Sequence, residues 1–521
     1  MEFAGGRLYM DVSSDLKSWL TRKTLLYTFG ETDVLVRNAL ENLLQRKGVL
    51  KRLGKSTGWL RSFKWDFLKW IWSALTIYLR GDLGGVAIAA ARYEATVAAK
   101  RAEFEKLSGL AFFDALKVDM AGFYDEFRSF KEDAAYLMLW MYSSAWLRKN
   151  MKKWLNDERA VDVLSKSVPS NPTSEMGLAL LDIAHLVRAR PAVVDYLRRA
   201  RDENFLDGLR EADDADKKIT EAFAAFLVKY GMRCSGEIDI TKPRWSERPT
   251  ALIPMIEGCF DGLGESGQER FEQGRAEAEA KAAELISQIE KLPDGRRKAK
   301  KTRKMISVWR GVSGFREYPK FFMIQRFGIY KEALMREAEK LVQSGVIRER
   351  EDIFYLTLEE LREAVRVGRV DLGEIERRRG EYKFFEKLIP PRVMTSEGEI
   401  LRGSYGAGAH TKGVCPEGAL VGMPVSARVV EGTARVVLRQ EDANIRHGDI
   451  LVTPFTDPSW TPFFVSIKGL VTEVGGQMTH GAVITREYGL PAVVGVEDAT
   501  KKIQDGRRVR VNGTEGWIEL L

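Results

Sequence analysis

Residues 475–494 read GGQMTHGAVITREYGLPAVV, and the reading of this stretch decides the fold. The β-rich run Gly469 to Val474 before it predicts a strand. Gly475-Gly476 is expected to end that strand, because glycine takes positive φ cheaply. A short helix is expected over Gly481–Tyr488, with Thr479 as N-cap and Gly489 as left-handed terminator. Pro491 stops the helical pattern, and Ala492 to Val496 returns to strand. His480 therefore falls in the first turn of a helix, just behind a Gly-Gly turn.

A helix N-terminus offers unpaired amides and the positive end of the dipole, which suit an anion. An imidazole placed there is expected to face solvent and to act as a nucleophile, with the amides beneath it holding a phosphoryl group. A lone histidine at a helix start is ordinarily a cap or a surface residue, so its neighbours must decide its role.

Around this stretch the chain reads as a small β/α unit. Ser426 to Leu438 suggests a hairpin around Glu431-Gly432, and Asp449 to Thr453 a strand. Val509 to Val511 and Gly516 to Leu520 pair around Asn512-Gly513, a strong hairpin signal. Asp457 to Trp460, with Phe463 and Phe464, lies beside this core and suits docking or packing. Pro390-Pro391 and the Gly/Ser-rich stretch Gly398 to Gly413 mark a linker. The division that follows is a mainly helical domain over 1–390, a linker over 391–415 and a small domain over 416–521.

From about Ser14 to Ile389 apolar residues recur at three and four, as in Leu180, Ile183 and Val187. Pro191 suits the first turn of a helix. The aromatic segment Phe127 to Trp146 packs a core or walls a pocket for a large apolar ligand, with Phe130 and Trp140 as candidates. Trp70 to Leu79 is too short to span a bilayer and reads as a buried helix in preference to an interfacial segment. Residues 5–12, GGRLYMDV, alternate like a strand whose partner is not evident before them. Tyr230 to Pro249 breaks the helical pattern and reads as an ordered loop whose alternating charges neutralise one another. Gln268 to Lys291 predicts a long charged helix. The basic run Arg296 to Lys304 reads as a solvated helical face, since no aromatic residues interleave it. Thr357 and Glu360 form a capping-box pattern.

The chain has 521 residues, enough for roughly two to four domains. Its 45% hydrophobic and 30% charged residues are ordinary for a globular protein. Cys234, Cys259 and Cys415 give neither a disulfide framework nor metal-ligand spacing, which points to a reducing cytoplasm. His185, His410 and His447 have no metal-ligand partner at sensible spacing. A net charge of +8 fits anionic ligands and does not call for nucleic acid. The N-terminal residues do not resemble a signal peptide, and no run is long enough for a membrane span.

Gly475, Gly476, Thr479, His480, Ala482, Arg486, Glu487, Gly489, Pro491 and Ala492 to Gly495 together resemble the phosphohistidine signature of the swivelling domain of phosphoenolpyruvate-utilising enzymes. The fold this implies is multidomain, a large mainly α-helical domain followed by a small β/β/α swivelling phosphohistidine domain. Within that group the chain resembles the rifamycin phosphotransferases over nearly all of Gly5 to Leu521. No (β/α)₈ barrel of roughly 250 residues is expected after the signature, with 41 residues beyond His480. Tyr230 to Pro249 also matches, through Arg233, Glu237, Asp239, Arg244 and Trp245.

The resemblance implies that His480 carries a phosphoryl group to a rifamycin hydroxyl. Spacing alone leaves Arg316-Glu317-Tyr318-Pro319-Lys320 an exposed cation pair bridged by Glu317. The resemblance instead implies that Arg316 and Lys320 grip the transferring group. The family's ATP-grasp domain, with its ATP and Mg²⁺, is not found in this sequence and is expected as a partner. Two other functions fit: a phosphohistidine subunit of a split phosphoenolpyruvate-synthase-like or phenol-phosphorylating enzyme, and a drug-binding protein without chemistry.

Overall fold

The computed structural model describes residues 2–53, 59–81, 83–129, 131–157, 160–213, 217–260, 266–388, 390–403 and 415–521. Phe130 and His410 lie outside these residues. The chain opens with a hairpin, β1 (Glu2–Ala4) and β2 (Arg7–Tyr9), paired as Phe3↔Leu8. Residues 2–4 thus supply the partner strand that the sequence reading did not find.

A helical unit follows, from Ser13 to Phe385. Its main helices are α1 (Trp59–Arg80), α2 (Gly85–Lys106), α3 (Gly109–Ser129), α4 (Lys131–Leu155), α5 (Pro172–Arg188), α6 (Gly267–Glu290), α7 (Gly295–Ser313) and α8 (Tyr318–Gln343). Helix α4 packs on both α1 and α7, and α8 packs on α2. Helix α5 buries Leu180, Ile183 and Val187 as its spacing predicts, and begins at a cap. There the Asn171 side chain accepts from the amides of Thr173 and Ser174. Pro191 opens the next helix, and Thr357 with Glu360 forms the expected capping box.

Two readings change here. Several apolar residues of α1 are not buried: Trp72 is 71% and Leu79 65% exposed, whereas Ala74 is buried. The α4 side of the helix takes the packing, and the rest of its apolar surface stays open. The basic run on α7 is solvated as expected, yet aromatic rings from other elements lie beneath it. Lys298, Lys301 and Lys304 sit 5.6, 5.2 and 4.2 Å from the rings of Trp154, Trp146 and Tyr78. Those rings come from distant positions, so the run itself could not show them.

Between the units β3 (Val393–Met394) pairs with β4 (Ile400–Leu401). The sheet unit contains β5 (Leu420–Val421), β6 (Met423–Ser426), β7 (Val429–Val436), β8 (Ile450–Thr453), β9 (Gly469–Thr472), β10 (Ala492–Val494), β11 (Arg508–Asn512) and β12 (Trp517–Leu520). The spatial order is β5-β12-β11-β7-β8-β9-β10-β6, with β7, β8, β9 and β10 parallel. The strands at the two ends of this order are separated in sequence by Gly422 alone. The sheet must therefore curl until its edges nearly meet.

Strands β11 and β12 form the expected pair. The hairpin around Glu431-Gly432 does not form, because β7 runs straight through it. Glu431 instead faces Arg510 across the β7–β11 ladder and accepts from its Nε at 2.7 Å. Gly432 lets β8 come close, since a Cβ there would lie 3.1 Å from the Gly448 carbonyl oxygen.

Behind β9 comes α9 (His480–Tyr488). The 3₁₀ segment Pro458–Val465 is wholly buried between α9 and α5. Trp460, Phe463 and Phe464 join one apolar cluster that includes Met176 and Leu180 of α5 and Leu470 and Ile484 of the sheet unit. The core of the helical unit thus continues without interruption into the sheet unit. Each large side chain buried there contributes roughly 1.5–3 kcal/mol.

Candidate functional site

His480 begins α9 where its sequence placed it. Thr479 holds the N-cap position in extended conformation, but its hydroxyl does not cap the helix. It donates instead to the Gly476 carbonyl at 2.8 Å, which tightens the preceding turn. Gly489 ends α9 in the left-handed region with φ 69°. Gly475 is required by close approach, because a Cβ there would lie 2.8 Å from the Val494 Cβ. That replaces the turn argument drawn from the sequence.

The expectation of an open, solvent-facing imidazole is corrected. His480 retains some solvent contact but lies in the seam between the two units. Its Nε2 is 2.9 Å from Thr461 Oγ1. Its Nδ1 is enclosed and has no hydrogen-bond partner among the described residues. Burial, only partly offset by Glu317, holds the ring well below the ordinary histidine range. Lys320, Arg316 and Arg233 lower it further. The ring is therefore neutral in this position, the form that has a lone pair to share.

The structure brings Arg316 and Lys320 to the same seam. Arg316 lies in a short 3₁₀ turn, Gly314–Glu317, that leads into α8, and Pro319 stands in the first turn of that helix. The two cations are not bridged by one carboxylate. Arg316 Nη2 lies 2.8 Å from Glu317 Oε1, as an ion pair out of line for a hydrogen bond. Lys320 Nζ lies 3.0 Å from Glu237 Oε1. Burial works to raise the Glu317 carboxyl, but Arg316, His480, Arg233 and Lys320 outweigh it and hold it at about 2. Thr173 at the start of α5 links the two pairs. Its Oγ1 donates to Glu317 Oε2 at 3.3 Å and accepts from Arg233 Nη2 at 3.3 Å.

The loop Tyr230 to Pro249 is ordered by its own charges, as expected. Arg233 Nη1 lies 3.3 Å from Glu237 Oε2, and Arg244 Nη1 donates to the Glu237 carbonyl at 2.7 Å. The loop also reaches the seam, where the Gly236 amide donates to Asp457 Oδ2 at 2.9 Å. Trp140 comes from α4 and sets its ring 5.6 Å from the Arg316 guanidinium. Among the described residues no cluster of His, Cys, Asp and Glu is arranged to hold a metal ion.

Sequence reasoning missed Thr461, Thr173 and Asn171. The SNPTSE run carries the Asn-Pro signal of a helix start, but nothing in it says what that helix end faces. Asn171 Nδ2 lies 3.1 Å from both oxygens of Glu487, and Ser174 also donates to that carboxylate. Glu487 is raised by this burial, although Arg316 and the two donors oppose it.

Chemically, the seam places a neutral imidazole beside two cations that are each held by a carboxylate. Such cations can turn from carboxylate to phosphoryl oxygens when a phosphoryl group arrives. Close approach here depends on Gly177 of α5, where a Cβ would lie 2.8 Å from the Tyr488 hydroxyl and 3.1 Å from Thr461 Cγ2. Gly177→Leu is expected to hold α9 off α5 and to slow any transfer at the seam about a hundredfold. A Gly177→Leu protein that melts normally and reacts at the unaltered rate would refute the need for this contact.

Residues 132–317 match the family described as rifampicin phosphotransferase fourth domain, and residues 445–516 match the PEP-utilising enzyme mobile domain. The chain is 46% identical to a rifampicin phosphotransferase of Bacillus subtilis over its whole length, covering 59% of that protein. It is 47% identical to one of Bacillus cereus over 99% of its length, covering 58% of that protein. A phosphoenolpyruvate synthase of Aeropyrum pernix is 45% identical over 107 residues, which are 20% of this chain and 13% of the synthase. The chain thus spans somewhat over half the length of the rifampicin phosphotransferases it matches. Both domain matches thus fall within a chain whose similarity to rifampicin phosphotransferases runs from end to end.

Proposed function

We propose that this chain carries a phosphoryl group on His480 and delivers it to a hydroxyl of a rifamycin, which inactivates the drug. The observation that carries this reading is the neutral His480 beside Arg316 and Lys320 at the seam. The sheet unit, taken as residues 416–521, acts as the swivelling carrier, with 391–415 as its linker.

The reaction has two halves. In the first, His480 attacks the donor phosphorus, a P–N bond forms and a P–O bond to the leaving group breaks. In the second, the drug hydroxyl oxygen attacks, the P–N bond breaks and the hydroxyl proton ends on the imidazole. Arg316 and Lys320 offset charge on the equatorial oxygens. ATP and Mg²⁺ act through an ATP-grasp unit. Arg316 and Lys320 are held by Glu317 and Glu237 until a phosphoryl group arrives.

A groove suited to the drug lies on the far side of α4. It has a volume of about 760 Å³ and is lined by Trp72, Ile77 and Tyr136 among others. That size is within the range of pockets for bulky ligands. Tyr136 packs on Phe315 at 5.2 Å, next to Arg316, so one helix links the groove to the cations. Trp72→Ala is expected to weaken rifampin binding about tenfold in calorimetry, by loss of apolar contact. Unchanged affinity would place the drug elsewhere.

The test of the function supplies a separate ATP-grasp domain with labelled ATP. Acid-labile label should appear on this chain and pass to rifampin. Label that passes to a simple phenol and never to rifampin would favour a phenol-phosphorylating enzyme. No label with bound rifampin would favour a binding protein.

A further inference from the structure

We propose that the seam holds a second site, apart from His480, for a tetrahedral oxyanion of the phosphate class, walled by Arg148, Arg316, Arg486 and Trp309. A cavity of about 40 Å³ lies where α9 and the turn before it meet α4 and α7. One water needs about 10–15 Å³, so this space holds more than a water. His480 does not line it; Gln477 and Met478 of the preceding turn do.

Its walls are rich in donors. Trp309 is 5% exposed, and its Nε1 has no hydrogen-bond partner among the described residues. Arg316 Nη2 is likewise enclosed and makes no hydrogen bond. Its ion-pair partner, Glu317 Oε1 at 2.8 Å, stands out of line, and the Trp309 indole N–H, which only donates, calls for an acceptor. A buried donor left unpaired is costly, and native interiors rarely keep one.

The charges agree. Three guanidinium groups reach this space from three elements. Burial lowers Arg486, and the nearness of Arg148 and Arg316 lowers it further. Three carboxylates stand near, and Glu317 is already paired with Arg316 at 2.8 Å. Asp162 lies 3.4 Å from Arg148 and 4.0 Å from Arg486. Glu487 lines the cavity, but Asn171 and Ser174 occupy its oxygens. Arg486 already donates from Nη1 to the Val425 carbonyl and from Nη2 to that of Gln477, so it contributes charge and not a fork. A group with several acceptor oxygens meets the indole N–H together with the guanidinium groups of Arg148 and Arg316, whose forks match phosphate geometry. Chloride offers no such set of directions.

The inference rests on the docked arrangement of the two units and not on the drug as acceptor. The same chemistry has two sources, free orthophosphate or a phosphoryl group on His480, and the His480→Ala protein separates them. Calorimetry of the full chain with sodium phosphate at neutral pH, against sodium chloride at matched ionic strength, reads the site. One saturable phosphate site per chain is expected. Trp309→Phe keeps the packing and removes one donor, and should weaken binding roughly threefold to tenfold. Arg148→Gln should weaken it at least as much. His480→Ala should bind phosphate as the unaltered protein does.

The proposal is overturned if no saturable phosphate binding occurs. It is also overturned if Trp309→Phe and Arg148→Gln, melting normally, bind with undiminished affinity. Loss of binding in His480→Ala alone would put the anion on the histidine and overturn it as well. A failure of rifampin phosphorylation leaves all three outcomes readable.

Discussion

A His480→Ala protein given a separate ATP-grasp domain and labelled ATP is expected to take up no acid-labile label and to phosphorylate no rifampin. The loss should be complete, because in the proposed reaction the imidazole is the covalent carrier and the phosphoryl group has no other way between two sites. Arg316→Ala and Lys320→Ala should slow transfer instead, by about 2–4 kcal/mol each, as for loss of one charge-stabilising donor. The seam explains the difference. Arg316 and Lys320 each face a carboxylate, and either can be lost while the other remains.

The pH dependence follows from the same position. In the seam His480 is held well below its ordinary range, so the docked ring stays neutral where a free ring titrates. Label uptake by the undocked ring should fall below about pH 6.5. Docking also weakens as the pH drops through that value, because the undocked ring binds a proton that the docked ring refuses. Mass spectrometry at neutral or alkaline pH locates the label. Label on any other residue, or undiminished drug phosphorylation by His480→Ala, would sink the reading.

The second large effect is on stability. Phe463→Ala should destabilise the chain by about 3–5 kcal/mol, the cost of emptying a fully buried phenylalanine site. Phe463 is 0% exposed and lies 6.0 Å from the Trp460 ring, in the cluster that spans both units. Chemical denaturation checks this. A loss below about 1 kcal/mol would mean that the cluster relaxes around the gap and that the segment is a loose cover.

What the sequence disclosed depended on the reach of each signal. The strand, helix and stop around His480 were legible because local propensity and position act within a few residues. The β11–β12 pair was legible for the same reason. Glu431-Gly432 misled because a turn dipeptide and a strand glycine look alike until the neighbouring strand is known. Here Arg510 and Gly448 decide it. Trp70 to Leu79 misled because apolar content does not say which side of a helix finds a partner. Arg316 and Lys320 came from a resemblance, and their carboxylates came from different places. Glu317 is adjacent in sequence, whereas Glu237 is brought in by a loop some eighty residues upstream. Thr173 and Thr461 were silent because a lone threonine carries no spacing signal.

The unbroken apolar cluster from Met176 to Ile484 has a consequence for any movement of the sheet unit off α5. Within that cluster the two meet side chain against side chain. Departure means lifting, and lifting wets a surface made of interior side chains. Such wetting carries a positive heat-capacity change. The attraction that closes the seam weakens on cooling, as apolar burial does. Chilling is then expected to loosen the sheet unit from this face.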